Sequence, residues 1–346
     1  MNKTYSNLRK GAFYIAIVLS VLIIISSILS LIYDIPRWYL KVLDFPRMIQ
    51  FILSIIILIY FVIIKLRWNK PTILLLTGLI SAVLIQLSVM APYLLWSKEV
   101  PSVETISVDE KNTVGILLGN VLITNKNSSK FLEIIEKADP DMILAMEVDD
   151  WWVKELQSLE KEYPHTMKIP LDNAYGMALY SKFPLKDSEI KYLNLSKVPS
   201  FHALVTLPSG KVFKFYGVHP VAPMPSDKYP DNVGEMKMIE ENKKEEKELL
   251  RIADLVEKDN YPSLVGGDLN DLAWGRTERL FGKDNTKLKD VRIGRGLYNT
   301  FDATSYFLRW PLDHFYVTEK ISVVEFERLE SFDSDHFPLY GKFLIE

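Results

Sequence analysis

An α/β domain of about 235 residues, preceded by three membrane-spanning helices, is the architecture this sequence predicts. Three observations carry it. The first hundred residues contain three long uncharged runs, the remainder alternates apolar β-rich segments with amphipathic ones, and polar residues gather where those apolar segments end.

The uncharged runs are Gly11 to Tyr33, Met48 to Ile64 and Pro71 to Trp96. A helix needs about 20 residues to cross a bilayer, within a range of roughly 17–25, so spans are expected at about 11–33, 48–64 and 71–96. A cleaved signal peptide does not suit the first run, because Ser30-Leu31-Ile32-Tyr33-Asp34 lacks the small-residue cleavage pattern. Between the first two runs, Pro36-Arg37-Trp38-Tyr39-Leu40 reads as an interfacial segment with its aromatic residues at headgroup depth.

With the N-terminus inside, Lys3, Arg9, Lys10, Lys65, Arg67 and Lys70 face the cytoplasm, and Arg37, Lys41, Arg47, Lys98 and Lys111 lie near the other surface. Six basic residues against five lean toward a multi-pass cell-membrane protein whose remaining chain is extracytoplasmic. Residues 98–112 are polar, lack a helical stripe, and read as a linker.

In residues 113–346, strands are expected at 114–123, 140–146, 176–181, 201–207, 212–218, 263–266, 312–317, 323–329 and 339–345. Helices are expected at 128–137, with Phe131, Leu132 and Ile135 on one face, and at 235–258, whose charged residues form a solvated face. Residues 98–346 hold 32 of the 41 basic and 42 of the 44 acidic residues, a net charge of −10. Duplex DNA is held through its phosphates by basic surface, so it is not a favoured partner. Arg276, Arg279 and Lys283, or Arg292, Arg295 and Arg309, are the clusters from which a local basic rim would be built. The chain has no cysteine, which excludes disulfides and thiolate ligands and leaves oxygen and imidazole to hold any metal.

Asn120, Glu147, His219, Asp268, Asn270, Asp313, Asp335 and His336 stand at or near the ends of apolar runs. Strand ends are where a sheet can point several carboxylates, amides and imidazoles into one cleft without burying them unpaired. The ordered set Asn120, Glu147, His219-Pro220, Gly267-Asp268-Leu269-Asn270, Leu312-Asp313-His314 and Ser334-Asp335-His336-Phe337-Pro338 resembles the endonuclease/exonuclease/phosphatase superfamily. The likeness covers residues 113–346, and Asp271-Leu272-Ala273-Trp274, Asp290 to Gly296 and Asn299-Thr300-Phe301 are similar to its membrane-anchored bacterial branch. The resemblance implies two packed mixed β-sheets flanked by helices, a four-layer sandwich, and hydrolysis of phosphoesters.

Hydrolysing a phosphodiester requires neutralised phosphoryl charge, a deprotonated in-line water and a stabilised leaving oxygen. Glu147 is the first choice for a Mg²⁺ ligand, with Mn²⁺ the alternative ion, because Mg²⁺ takes one or two carboxylates and keeps its waters. Asn120 either orients Glu147 or touches the metal, and Asp335 is a second carboxylate on the metal side. Asp268 and Asn270, two apart on an extended segment, project to one side, where Asp268 is suited to accept the proton of water. His336 is assigned to contact phosphate, with Asp313 as the carboxylate that fixes its tautomer and charge. His219 sits where family nucleases place a histidine against phosphate or the leaving group. His314 belongs on the opposite strand face from Asp313.

The predicted function is therefore a membrane-tethered, Mg²⁺-dependent phosphoesterase acting on a lipid headgroup, a small phosphoester or nucleic acid. The alternative is a non-catalytic membrane receptor or scaffold that binds a phosphorylated ligand. A pure binder has no need of both Asp268 and the Asp313–His336 pair.

Overall fold

Residues 3–32, 38–64, 66–104, 108–193, 195, 197–222, 248–275 and 287–346 are described by the structure, a computed structural model. The chain divides into two units, Met1–Pro92 and Tyr93–Glu346.

The first unit is helical: α1 (Lys3–Leu29), the short α2 (Trp38–Lys41), α3 (Arg47–Ile63) and α4 (Lys70–Leu94). Two stretches, Asn7–Leu29 and Lys70–Leu94, are long and apolar enough to cross a membrane. The expected middle span is shorter than those two, since α3 has 17 residues, about 25 Å at the helical rise, against a hydrocarbon core of roughly 30 Å. Ala16, Ile23, Ile57, Phe61, Leu79 and Ala82 make the apolar centre of the unit.

Beside that centre runs a polar network. Arg47 is fully buried, and its Nε lies 2.8 Å from Asp44 Oδ1 and its Nη1 3.0 Å from Gln86 Oε1. Gln86 Nε2 donates to Ser27 Oγ and Gln50 Oε1, each at 2.9 Å, and Gln50 Nε2 donates to Ser26 Oγ at 2.8 Å. Arg47 is thus neutralised by Asp44 inside the unit rather than standing among the surface charges, because an unpaired buried guanidinium would be far costlier than a paired one.

The second unit carries β1 (Thr113–Asn120), α5 (Ser128–Ala138), β2 (Met142–Met146), α6 (Asp150–Glu155), β3 (His165–Ile169), β4 (Met177–Ser181), β5 (Leu185–Lys191), β6 (Ser200–Thr206) and β7 (Val212–Val218). A helix over 248–258, here α7, follows. Then come β8 (Ser263–Asp268), β9 (Lys289–Asp290), β10 (Asp313–Val317), β11 (Ile321–Arg328) and β12 (Leu339–Ile345). Of the helix expected over 235–258, residues 235–247 lie outside the described residues.

These strands form two six-stranded mixed sheets, ordered β11-β12-β1-β2-β4-β3 and β5-β6-β7-β8-β10-β9. Each has one parallel pair at its centre, β1–β2 in the first and β7–β8 in the second. The inner faces meet in a core that includes Val114, Ile116, Leu118, Leu144, Phe213, Phe215, Leu264, Phe315 and Phe343. The outer face of the first sheet, with Leu117, Ile143 and Ala145, packs on Phe131, Ile134 and Ile135 of α5 and Trp152 of α6. The outer face of the second, with Tyr216, Val218, Val265 and Tyr316, packs on Leu249, Ile252 and Val256 of α7. The result is the expected four-layer sandwich, built by alternation along the strands, with register shifts in β5 and β11 at the sheet edges.

Residues 98–112 are partly built into this unit. Val100 is buried, Val103 N donates to Val323 O and Val323 N to Pro101 O, each at 2.9 Å, so residues 101–103 lie along β11.

Candidate active site

The alternation that fills the core also aims the polar residues. On β8, Leu264 is in the core between the sheets and Val265 faces α7, so Asp268, at even spacing from Leu264, ends the inner face. On β10, Asp313 shares the parity of the core residues Phe315 and Val317, while His314 shares that of Tyr316 on the outer face. Asn120 closes the inner face of β1 beyond Leu118. β10 runs antiparallel to β8 with Asp313 opposite Asp268. One end of the sandwich thereby collects residues from both sheets.

Asn120, Glu147, His219, Asp268, Asp313 and His336 are all buried, and Asn270 and Asp335 are half-buried beside them. Asn120 Nδ2 donates to Glu147 Oε1 at 3.2 Å and to Asp268 Oδ2 at 3.1 Å. Its Oδ1 accepts from Leu122 N at 3.0 Å, and Glu147 Oε2 accepts from Ile123 N at 3.3 Å. Asp268 Oδ2 is also 3.5 Å from His336 Nε2 and 3.7 Å from His219 Nε2. Its Oδ1 accepts from Asn270 N at 2.8 Å, and the Asn270 amide is anchored by donating to Pro220 O at 2.9 Å. His336 Nδ1 lies 2.8 Å from Asp313 Oδ2.

Two of the site residues carry backbone strain. Glu147 and Asn270 have φ of 61° and 53°, in the left-handed region that side chains disfavour. Behind Asp268, a Cβ on Gly267 would sit 1.8 Å from Val218 O, so only glycine lets β7 and β8 approach this closely at their ends.

Electrostatics separate the two aspartates. Burial raises the Asp268 carboxyl, and the neighbouring Asp313 charge adds to that, against the opposing pull of His336 and His219. Burial pushes Asp313 upward too, but the His336 charge and hydrogen bond override it and hold it below its ordinary value. Burial alone would depress His336, yet Asp313 and Asp268 raise it to about 10, so it is an imidazolium at neutral pH.

Several supporting residues have no role in the sequence reading. Ser334 Oγ donates to Asn120 O at 2.7 Å and accepts from His336 N at 3.1 Å, tying the loop before β12 to the end of β1. Thr300 Oγ1 accepts from the backbone nitrogens of Leu312 and Asp313 at 3.3 and 3.2 Å. Fully buried Arg292 bonds the Asp313 carbonyl through Nη2, His314 Nδ1 at 2.9 Å and Leu297 O at 3.0 Å. Ser334 and Thr300 lie inside the motifs quoted above, but nothing in a hydroxyl's sequence position distinguishes a strut from a turn. The basic rim is corrected likewise. Arg292 is internal, Arg295 donates to Val100 O and Ser102 Oγ, and Arg276, Arg279 and Lys283 lie outside the described residues.

The donor set suits a hard divalent cation. Asp268, Asp313 and His336 have one potential ligand atom each within 4.8 Å of one another, although His336 would ligate only as the neutral imidazole. Glu147 and Asp335 add carboxylate oxygens at the same end, and no soft ligand competes. A groove of about 620 Å³ lined by Tyr261, Pro262 and Thr318 lies at the opposite ends of β8 and β10 and contains none of these residues.

A model of the Endonuclease/Exonuclease/phosphatase family matches residues 117–336, from the middle of β1 to His336. The chain belongs to this family. Among solved structures, the second unit is similar to the endonuclease/exonuclease/phosphatase protein of Bacteroides vulgatus, with a TM-score of 0.55 and 18% identity over 68% of this chain and 99% of that one. It is also similar to the human nocturnin catalytic domain, solved with a bound sulfate anion, with a TM-score of 0.53 and 18% identity over 69% and 96%. The Danio rerio protein TDP2, solved with a single-strand DNA product, gives 0.51 and 15% over 68% and 99%. At these identities the likeness establishes the endonuclease/exonuclease/phosphatase fold. No curated protein sequence matches the chain.

Proposed function

We propose that this protein is a membrane-tethered, Mg²⁺-dependent phosphoesterase that cleaves phosphodiesters by attack of an activated water. The observation that carries the reading is the position of Asp268 Oδ2, 3.1 Å from Asn120 Nδ2, 3.5 Å from His336 Nε2 and 3.7 Å from His219 Nε2. Such a carboxylate sits within reach of both a water and the imidazoles that would face a phosphate. Its raised pKa makes it a stronger base than an exposed aspartate.

Glu147 and Asp335 would hold the Mg²⁺, with Asn120 fixing the Glu147 rotamer through its 3.2 Å hydrogen bond. The ion, when bound, would supply positive charge to the phosphoryl oxygens. Asp268 would take the proton of the attacking water, and Asn270 would hold that water or a phosphoryl oxygen from the mouth of the site. His336, kept cationic by Asp313, would stabilise charge that grows in the transition state, where a preoriented donor is worth most. His219 would assist at the leaving oxygen.

Membrane tethering is supported by Asn7–Leu29 and Lys70–Leu94. The excess of basic residues on the N-terminal side supports an extracytoplasmic catalytic unit. The test is a phosphoester panel of lipids, nucleotides and single- and double-stranded DNA, run with the purified full chain in detergent with and without Mg²⁺. Turnover by the wild type, lost in Asp268→Asn, is the expected result. Binding of one phosphoester to both proteins without turnover by either would replace the enzyme with a receptor.

A further inference from the structure

Beside the active site stands a hairpin whose tip is apolar and uncovered. Tyr306 is 87% exposed, Phe307 94% and Leu308 45%, whereas the other exposed large hydrophobics among the described residues of 113–346, such as Tyr192 and Tyr261, reach 45% at most. Consecutive uncovered aromatics on a water-facing loop mark a contact surface.

The tip is held in place. Thr300 N donates to Trp310 O at 2.9 Å, the rings of Phe301 and Trp310 stack at 6.2 Å, Arg309 Nε donates to Ser305 O at 2.6 Å and Leu308 N to Ser305 Oγ at 2.9 Å. The base of the hairpin is joined to the site: Phe301 bridges His336, its ring 5.0 Å from the imidazole, and Ala303 N donates to Asp335 O at 2.8 Å. The hairpin that presents the tip is therefore anchored on the loop that carries His336.

Charge identifies the occupant. The guanidinium of Arg309 lies 4.8 Å, and that of Arg328 4.4 Å, from the centre of the Phe337 ring. Among the described residues neither is paired with a carboxylate, although residues 98–346 carry a net charge of −10. Two unneutralised cations at the foot of an apolar tip match an anionic phospholipid surface, where Tyr and Phe settle at headgroup depth and cations meet lipid phosphate. Aromatic tips also stack nucleic-acid bases, but the acidic surroundings oppose a long polyanion.

We infer that residues 302–310 form a bilayer-contacting hairpin, with Tyr306, Phe307 and Leu308 entering the headgroup region and Arg309 receiving lipid phosphate beside the active site. This rests on the membrane-tethered phosphoesterase reading and narrows its substrate to a phospholipid headgroup.

The absence of native cysteine permits a direct test. A nitroxide would be attached to Phe307→Cys, and separately to Tyr261→Cys at the opposite end of β8, in the full chain reconstituted into nanodiscs of phosphatidylcholine and phosphatidylglycerol. The Phe307 label is expected to collide more with oxygen and less with an aqueous nickel chelate than the Tyr261 label, and to shift toward the chelate as phosphatidylglycerol is removed. Equal chelate access at both positions overturns the proposal. So does a Phe307 label that ignores the bilayer and is immobilised by a single-stranded oligonucleotide. In the same nanodiscs, Phe307→Ser should lose more hydrolysis of embedded phospholipid than of soluble bis(p-nitrophenyl) phosphate. Absence of turnover on every phosphoester would remove the phosphoesterase reading while the depth measurement still decides the hairpin's contact.

Discussion

Asp268 and Asp313 lie opposite each other in antiparallel register on β8 and β10, and their carboxyls are driven apart in acidity, the first raised and the second lowered. Burial raises both, and one imidazole overrides it at Asp313 alone. His336 places Nδ1 2.8 Å from Asp313 and Nε2 3.5 Å from Asp268, so the tighter ion pair forms with the nearer carboxylate, and the other keeps the raised pKa that suits the proposed base.

Asp313→Asn should therefore act on His336 before it acts on rate. With its carboxylate gone, the His336 pKa falls from about 10 toward the ordinary imidazole value. Loss of the charged, correctly oriented imidazole should slow hydrolysis by about 10²- to 10⁴-fold. NMR titration of the His336 ring reads the first effect directly. An unmoved titration would show that Asp313 does not set the charge.

Glu147→Gln should remove metal binding and leave the fold intact, since the amide keeps the size of the side chain but is a poor ligand for a hard cation. Added Mg²⁺ at about 100 times its dissociation constant should stabilise the wild type by roughly 2.7 kcal/mol, read as a rise in melting temperature in detergent. The variant should show no rise and no activity. An equal rise in both would place the ion elsewhere.

Stability should fall on both sides of neutrality, for opposite reasons. Burial lowers His202 and His314 to about 3 from an ordinary 6.5, so the stability they confer is complete above pH 6.5 and lost as pH drops toward 3. His336 is raised to about 10, so its contribution is complete below pH 6.5 and lost as pH climbs through about 10. His202→Gln should flatten the acid arm of a melting-temperature profile without touching the alkaline arm. An unchanged acid arm would dismiss His202 as a contributor.

Arg292→Met keeps the length of the side chain but strands the Asp313 carbonyl, His314 Nδ1 and Leu297 O. A destabilisation of about 2–3 kcal/mol is expected in urea titrations, the range for hydrogen bonds from a charged donor. A change below about 0.5 kcal/mol, typical of a surface substitution, would contradict the internal role.

The central strands are legible in the sequence because both of their faces are covered. β7 and β12 are read to the residue at 212–218 and 339–345, and β2 lies within the expected 140–146. β3 and β5 are not read at all. β3 is an edge of the first sheet and β5 an edge of the second, and Leu185–Lys191 is largely exposed, so neither needs apolar alternation. The eight polar residues are visible for the complementary reason, since each interrupts or ends a run that burial would otherwise keep apolar. Ser334, Thr300 and Arg292 are not legible because the partners that define their roles, the Asn120 carbonyl, the Leu312 and Asp313 amides and the Asp313 carbonyl, belong to other segments and leave no mark on the chain near them. Arg47 looked like a flanking charge because the Asp44 that neutralises it reads equally well as a turn residue.

The seam between the sheets gives the catalytic unit an all-or-none character. Asn120, Glu147, Asp335 and His336 ride on the first sheet and its loops; His219, Asp268, Asn270 and Asp313 ride on the second. The Asn120–Asp268 and His336–Asp313 hydrogen bonds stitch one set to the other. A chain cut in the turn between β4 and β5 would split the proposed site: one fragment keeps Asn120 and Glu147, the other Asp335 and the proposed base Asp268. Slippage of one sheet over the other by a fraction of a strand spacing would uncouple them while every residue remained present, so inter-sheet core residues such as Phe315 would govern the proposed turnover from a distance as calibrators of alignment.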